Sequence, residues 1–116
     1  MKPEGHLQKA EAFERRGRKW DGSEDEVPSV VEDMFNAAVH YIAYGINIRY
    51  GKDIDGHGMQ KKFLRDKNEF EVWQAYQDLE TVRVGAVYGA SWSCGHVKKV
   101  ISYLEVIKKW SKTTGK

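Results

Sequence analysis

The stretch Pro28 to Gly51, PSVVEDMFNAAVHYIAYGINIRYG, decides how the rest of the chain is read. Val31, Met34, Phe35, Ala38, Tyr41, Ile42, Gly45 and Ile48 recur at spacings of three and four, which places them on one broad stripe of a helix. Pro28 suits a first helical turn, Ser29 followed by Glu32 reads as a capping box, and Gly51 can take the left-handed conformation that stops a helix. At about 3.6 residues per turn, the stretch makes about six turns. A stripe of that length must be covered by other elements.

Upstream, Pro3 to Lys19 carries Leu7, Ala10 and Phe13 at helical spacing, with Glu11, Glu14, Arg15 and Arg18 elsewhere on the cylinder, and predicts a first helix. Trp20 to Val27, with Gly22 and an acidic run, reads as a connection. Downstream, Asp55 is placed to cap a short helix from Gly56 to Asp66 whose inward residues are Met59, Phe63 and Leu64. Asn68 with Glu71 three positions on opens a fourth helix that runs to Tyr88, with Val72, Trp73, Tyr76, Leu79, Val82, Arg83 and Ala86 on its stripe. Gly89 closes it, ASWS is a loop, and Ser93 caps a fifth helix, Cys94 to Ser111, with Val97, Val100, Ile101, Leu104 and Ile107 inward, continued by Lys108 or Ser111. No sustained alternation of apolar and polar residues marks a strand. The expected fold is all-α, an antiparallel bundle of four to five helices forming a single domain over residues 1–116.

A chain of 116 residues removes about 65% of its unfolded surface from water on folding, so no disulfide framework is required. Cys94 is the only cysteine, which excludes an intramolecular disulfide and reads as a small half-buried residue in a reducing compartment. The polar start MKPEGHLQKAEAFERR lacks the apolar core of a signal peptide, and no stretch approaches the ~18 apolar residues of a membrane span. The expectation is a soluble, cytoplasmic protein without a membrane partner. The net charge is +2, but its distribution is uneven: Gly95 to Lys116 holds six lysines against Glu105, and Asp21 to Glu26 holds four acids and no base. The basic end reads as a solvated face, with phosphate contact as the rival.

Arg83 stands out because a guanidinium in an apolar stripe needs a carboxylate, a phosphate or carbonyls to satisfy it. Glu80, one turn back, and Asp33 on the central helix are the partners in reach. Tyr88 lies five residues on, about 140° around an ideal helix at ~100° per residue, so the two share a face only where the helix bends or ends near Gly85. His57, between two glycines and followed by Lys61 and Lys62, marks a helix start that suits a phosphate, or a tight turn with a capping histidine. His40 reads as a packing residue. The four histidines are scattered and the lone cysteine adds no ligand spacing, so no metal site and no cofactor are expected. Tyr41, Tyr44, Trp73 and Tyr76 fall on or beside inward stripes, whereas Trp92, in the loop after Tyr88, is kept for ligand contact.

Three runs in order, MFNAAVHYIAYG at Met34 to Gly45, GHGMQKKFL at Gly56 to Leu64 and LETVRVGAVYG at Leu79 to Gly89, resemble the HEPN domain (higher eukaryotes and prokaryotes nucleotide-binding). Its second helix often carries an aromatic-x-alanine-alanine pattern like that of Phe35 to Ala38. The resemblance spans Val30 to Trp110 and implies a dimerising helical bundle. It also implies a partner nucleotidyltransferase, or metal-independent RNase activity in toxin-antitoxin systems. Those RNases use an arginine, four to six residues, then a histidine. Here Arg83 is followed, after four residues, by Tyr88 rather than histidine, while His96 is too distant and Arg49 to His57 crosses into a loop. Metal-free RNA cleavage needs a base, an acid and a cation for the phosphorane. Arginine supplies the last, but a tyrosine hydroxyl with its ordinary pKa of about 10 is a poor base beside a histidine at about 6.5. The sequence therefore favours a nucleotide- or RNA-associated binding or partner domain. The alternatives are an RNase built on Arg83 with Tyr88 or His57, and a purely structural protein-interaction module.

Overall fold

The computed structural model describes residues 2–89 and 92–113, and among these every regular element is helical. They are α1 (Pro3–Arg18), a 3-10 turn (Glu24–Glu26), α2 (Val27–Tyr50), α3 (His57–Asp66), α4 (Phe70–Arg83), a π-helical turn (Val84–Tyr88) that continues α4, and α5 (Cys94–Lys112). The predicted all-α class and the five helices agree with this. Ala90 and Ser91, the first half of the expected ASWS loop, lie outside the described residues.

Periodicity accounts for the centre of the packing. Val31, Met34, Phe35, Ala38, Tyr41, Ile42 and Gly45 of the α2 stripe are all buried, and only Ile48, near the end, is exposed. α1 and α5 pack on α2, α4 packs on α5 and α2, and α3 closes against α4. The largest buried side chains include Tyr41, Tyr76, Met34, Ile42 and Leu104. Each apolar side chain of that size contributes about 1.5–3 kcal/mol on full burial. Gly51 ends α2 as expected, with φ of 68° and its N–H donating to Asn47 O at 2.8 Å.

The capping expectations fared less well. α2 begins at Val27, directly out of the acidic 3-10 turn, so Ser29 and Glu32 lie inside the helix and form no capping box. Val27 is fully buried, and Pro28 needs no hydrogen bond in a first turn, so the start is fixed by packing. α3 begins at His57 with Gly56 rather than Asp55 in the cap position. Its inward residues are Gln60 and Leu64, with Phe63 partly buried and Met59 63% exposed. Gln60 is buried at no polar cost because its Nε2 donates to Val39 O (3.0 Å) and Ile54 O (2.9 Å), while Tyr76 Oη donates to its Oε1 at 2.5 Å.

Asn68 is not a cap either. It takes φ of 61° to turn the chain between α3 and α4, and Glu69 occupies the cap position. The Glu69 carboxylate is held by Tyr50 Oη (2.7 Å) and Trp110 Nε1 (3.2 Å). Gly89 closes the fourth helix as expected, without a left-handed conformation, since its φ is −96°. Its N–H donates to Val84 O at 3.0 Å, five residues back, and closes the π turn. Ser93 does cap α5, with its own N–H donating to His96 Nδ1 at 3.0 Å. On α5, Val97, Val100, Leu104, Ile107 and Ser111 are buried, and Ile101 and Lys108 only in part.

α1 departs most from its reading. His6, Ala10, Glu14 and Gly17 are buried, whereas Leu7 and Phe13 are only partly so. No helix among the described residues is long and apolar enough to cross a membrane.

Candidate functional site

Phe35 sits where α2, α3 and α4 meet, and polar groups from all three gather around its buried ring. The Arg83 guanidinium lies over the ring at 4.3 Å, the His57 ring meets it edge-on at 5.6 Å, and Tyr76 stacks at 6.0 Å. Arg83 is satisfied by neither of the two expected carboxylates. Its Nε donates to Glu32 Oε1 at 2.8 Å and its NH2 group to Glu32 Oε2 at 3.3 Å. Glu32, one turn before Phe35, is available because it is not spent on a cap. Asp33 instead pairs with Arg16 of α1 at 3.5 Å, and Glu80 turns toward α3. The bond to Glu32 raises Arg83 above an already high pKa, so its charge is fixed.

Arg83 and Tyr88 do meet. The Arg83 NH2 group donates to Tyr88 Oη at 3.1 Å, and its guanidinium is 5.3 Å from the Tyr88 ring. The π turn makes this possible: with hydrogen bonds from i+5 to i, residue 88 stands above residue 83 instead of around the cylinder. Tyr88 remains 69% exposed, so its ring presents a free face to solvent.

His57, Lys61 and Lys62 are each paired with acid. His57 Nε2 is 3.2 Å from Glu80 Oε2, Lys61 Nζ bonds the same carboxylate and donates to Gln77 Oε1 at 3.2 Å, and Lys62 Nζ donates to Asp66 Oδ2 at 3.1 Å. Beside them a depression of about 300 Å³ is lined by Gly58, Lys61, Lys62, Arg65, Trp73 and Gln77. A second, of about 230 Å³, is lined by Gln77, Glu80, Thr81 and Val84. The two share Gln77 and so form one shallow track along the outer faces of α3 and α4.

Arg65 and Trp73 escaped the sequence reading. The spacing of Lys61, Lys62 and Arg65, one turn of a helix, was the available signal for the first, and assignment of Trp73 to the core hid the second. Trp92 is drawn elsewhere, with its Nε1 donating to Glu24 O of the 3-10 turn at 3.1 Å. The half-buried Cys94 lies near the same connection, its Sγ 3.7 Å from Gly22 O. Among the described residues no group of three or more histidine, cysteine, aspartate or glutamate side chains could hold a metal ion.

The arrangement offers a fixed cation beside an exposed aromatic ring, next to a shallow track edged by three further cations and a tryptophan. It suits contact with phosphates and flat rings better than enclosure of a small substrate. No protein-family model, curated protein or solved structure matches the chain.

Proposed function

We propose that this chain is a HEPN-like helical domain that acts, as a homodimer, in binding nucleotide or RNA or in serving a partner protein. The helical half of a nucleotidyltransferase or toxin-antitoxin pair is the form this would take. The observation that carries the reading is the track on α3 and α4, where Lys61, Lys62 and Arg65 stand with Trp73 around one depression. Lysine and arginine neutralise phosphates, and tryptophan stacks on a base of any sequence. Arg83 with the exposed Tyr88 would add a second stacking and phosphate contact at the far end.

One observation favours the RNase alternative. Arg83 covers the face of Phe35 and His57 meets its edge, so a guanidinium and an imidazole stand against one ring. The carboxylates of Glu32 and Glu80 already engage both groups, which favours binding over proton transfer.

Labelled single-stranded RNA and tRNA, incubated in EDTA with the parent, Arg83→Ala and a Lys62→Glu/Arg65→Glu variant, test both readings. Binding predicts a shifted band without cleavage, needing about tenfold more protein for the double variant, a loss of ~1.4 kcal/mol. Cleavage by the parent that Arg83→Ala abolishes would establish the nuclease. Absence of both leaves the protein-interaction module.

A further inference from the structure

The start of α1 is tied to the middle of α2 by two histidines on the side of α2 away from the expected stripe. Nδ1 of His6 lies 3.0 Å from Nδ1 of His40, with the rings 5.2 Å apart and tilted by 33°. His6 is fully buried, and its other nitrogen, Nε2, lies 3.4 Å from Oδ1 of Asp53 in the segment after α2. Phe13 stacks on His40 at 5.9 Å with the planes 8° from parallel.

Two ring nitrogens at hydrogen-bond distance need one proton between them, because one must donate and the other accept. The carboxylate beside Nε2 of His6 fixes a hydrogen there, which leaves His6 Nδ1 as the acceptor and His40 Nδ1 as the donor. One added proton, taken at Nε2 of His40, keeps the hydrogen bond but charges a ring that burial, His6 and Lys9 all disfavour as a cation, and so loosens the contact. A second must go to Nδ1 of His6, where it faces the hydrogen already on His40, and both rings are then cationic. The contact cannot survive in that state.

We infer that His6, His40 and Asp53 form a proton-operated clasp that fastens the first turns of α1, and the segment after α2, to the body of the bundle and opens in acid. Lys9 of α1 and Asp55 of the segment after α2 are the other charges facing His40. Burial, then His6 and Lys9, hold His40 below the ordinary histidine range, and Asp55 only partly opposes them. The sign follows. The unfolded chain takes up this proton near 6.5 while the folded chain resists it. The clasp's stabilisation is therefore complete above that value and drains away as the pH falls from there toward the folded pKa.

The experiment compares the parent with His40→Gln and His6→Gln by hydrogen exchange and imidazole nitrogen NMR. Between about pH 7.5 and about pH 5, protection of the α1 amides, corrected for intrinsic exchange, should fall about tenfold in the parent and less than about twofold in either variant, while α5 responds alike in all three. In neutral solution the parent should show one protonated Nδ1, on His40. An equal loss in parent and variants would overturn the inference, as would a parent spectrum with both Nδ1 atoms bare. That spectrum decides the matter even where the variants fail to fold.

Discussion

Glu14 shows how far a single side chain can depart from its apparent place. Its charge and helical position put it on the wet side of the first helix, yet it is 5% exposed. Three donors from three helices explain this: Tyr41 Oη at 2.6 Å, Arg18 Nε at 2.7 Å and Lys108 Nζ at 3.3 Å. Arg18 in turn bonds Glu105 of α5. Burial pushes the Glu14 carboxyl up, but the bonds from Tyr41, Arg18 and Lys108 outweigh it and hold the group below its ordinary 4.5. Tyr41→Phe removes one donor of three and should cost about 1–2 kcal/mol in urea unfolding. Glu14→Ala leaves the buried Tyr41 hydroxyl without its acceptor and takes one partner from Arg18, which keeps Glu105, and from Lys108, and should cost about 2–3 kcal/mol. Because the folded pKa is the lower one, this stabilisation is complete above 4.5 and is lost as the pH falls through the folded value. The gap in stability between parent and Glu14→Gln should therefore begin to close only below pH 4.5, whereas the loss at His40 begins below 6.5.

The π turn at the end of α4 carries its own consequence. An added residue in an α-helix widens one turn, and here it places Tyr88 over Arg83. Deleting Val87, which is only half-buried, leaves Arg83 and the tyrosine four apart, the spacing of neighbours on an ordinary α-helix. Ala86, buried and upstream of the deletion, keeps its place. The variant should retain contacts between the tyrosine ring and the Arg83 side chain in NMR spectra. Their loss would mean that the π turn does more than bring these two groups together. Position in a stripe, the spacing of the resemblance and a glycine-flanked helix start marked Arg83, Tyr88, His57, Lys61 and Lys62 as candidates, and these fall on α3, α4 and the π turn, whereas Trp92 bonds the 3-10 turn. Glu32 and Phe35, which organise them, were legible only as helix-start and core residues.

Taken together, the helices are locked by close approaches to α2. Gly17 of α1 faces Met34, where an added Cβ would come within 2.8 Å of Cε, and Gly45 faces the ring of Trp110 on α5. A methyl at Gly45 would overlap Cζ3 of that ring. Trp110 cannot easily swing aside, because Arg49 stacks on it at 4.6 Å and Glu69 accepts from its Nε1. Gly45→Ala gains about 1 kcal/mol of helix propensity but incurs about 1–3 kcal/mol of overpacking. A net loss of up to about 2 kcal/mol in unfolding free energy is expected. In a Trp110→Ala background the same change should become stabilising, and failure of that reversal would place the strain elsewhere.

The amino-acid order alone established the all-helical class, the extent of α2, its stop at Gly51, the Ser93 start of α5 and most of the buried apolar stripes. These depend on residues within a turn or two of one another, where the 3.6-residue period and the conformations of glycine and serine act locally. The burial of His6 and Glu14, the choice of Glu32 for Arg83, the pairing of Glu80 with His57 and Lys61, and the caps that never formed required the helices in place. A buried charge or imidazole is tolerated only when its partners arrive from other elements, and no spacing within one helix encodes which carboxylate of the next will face it.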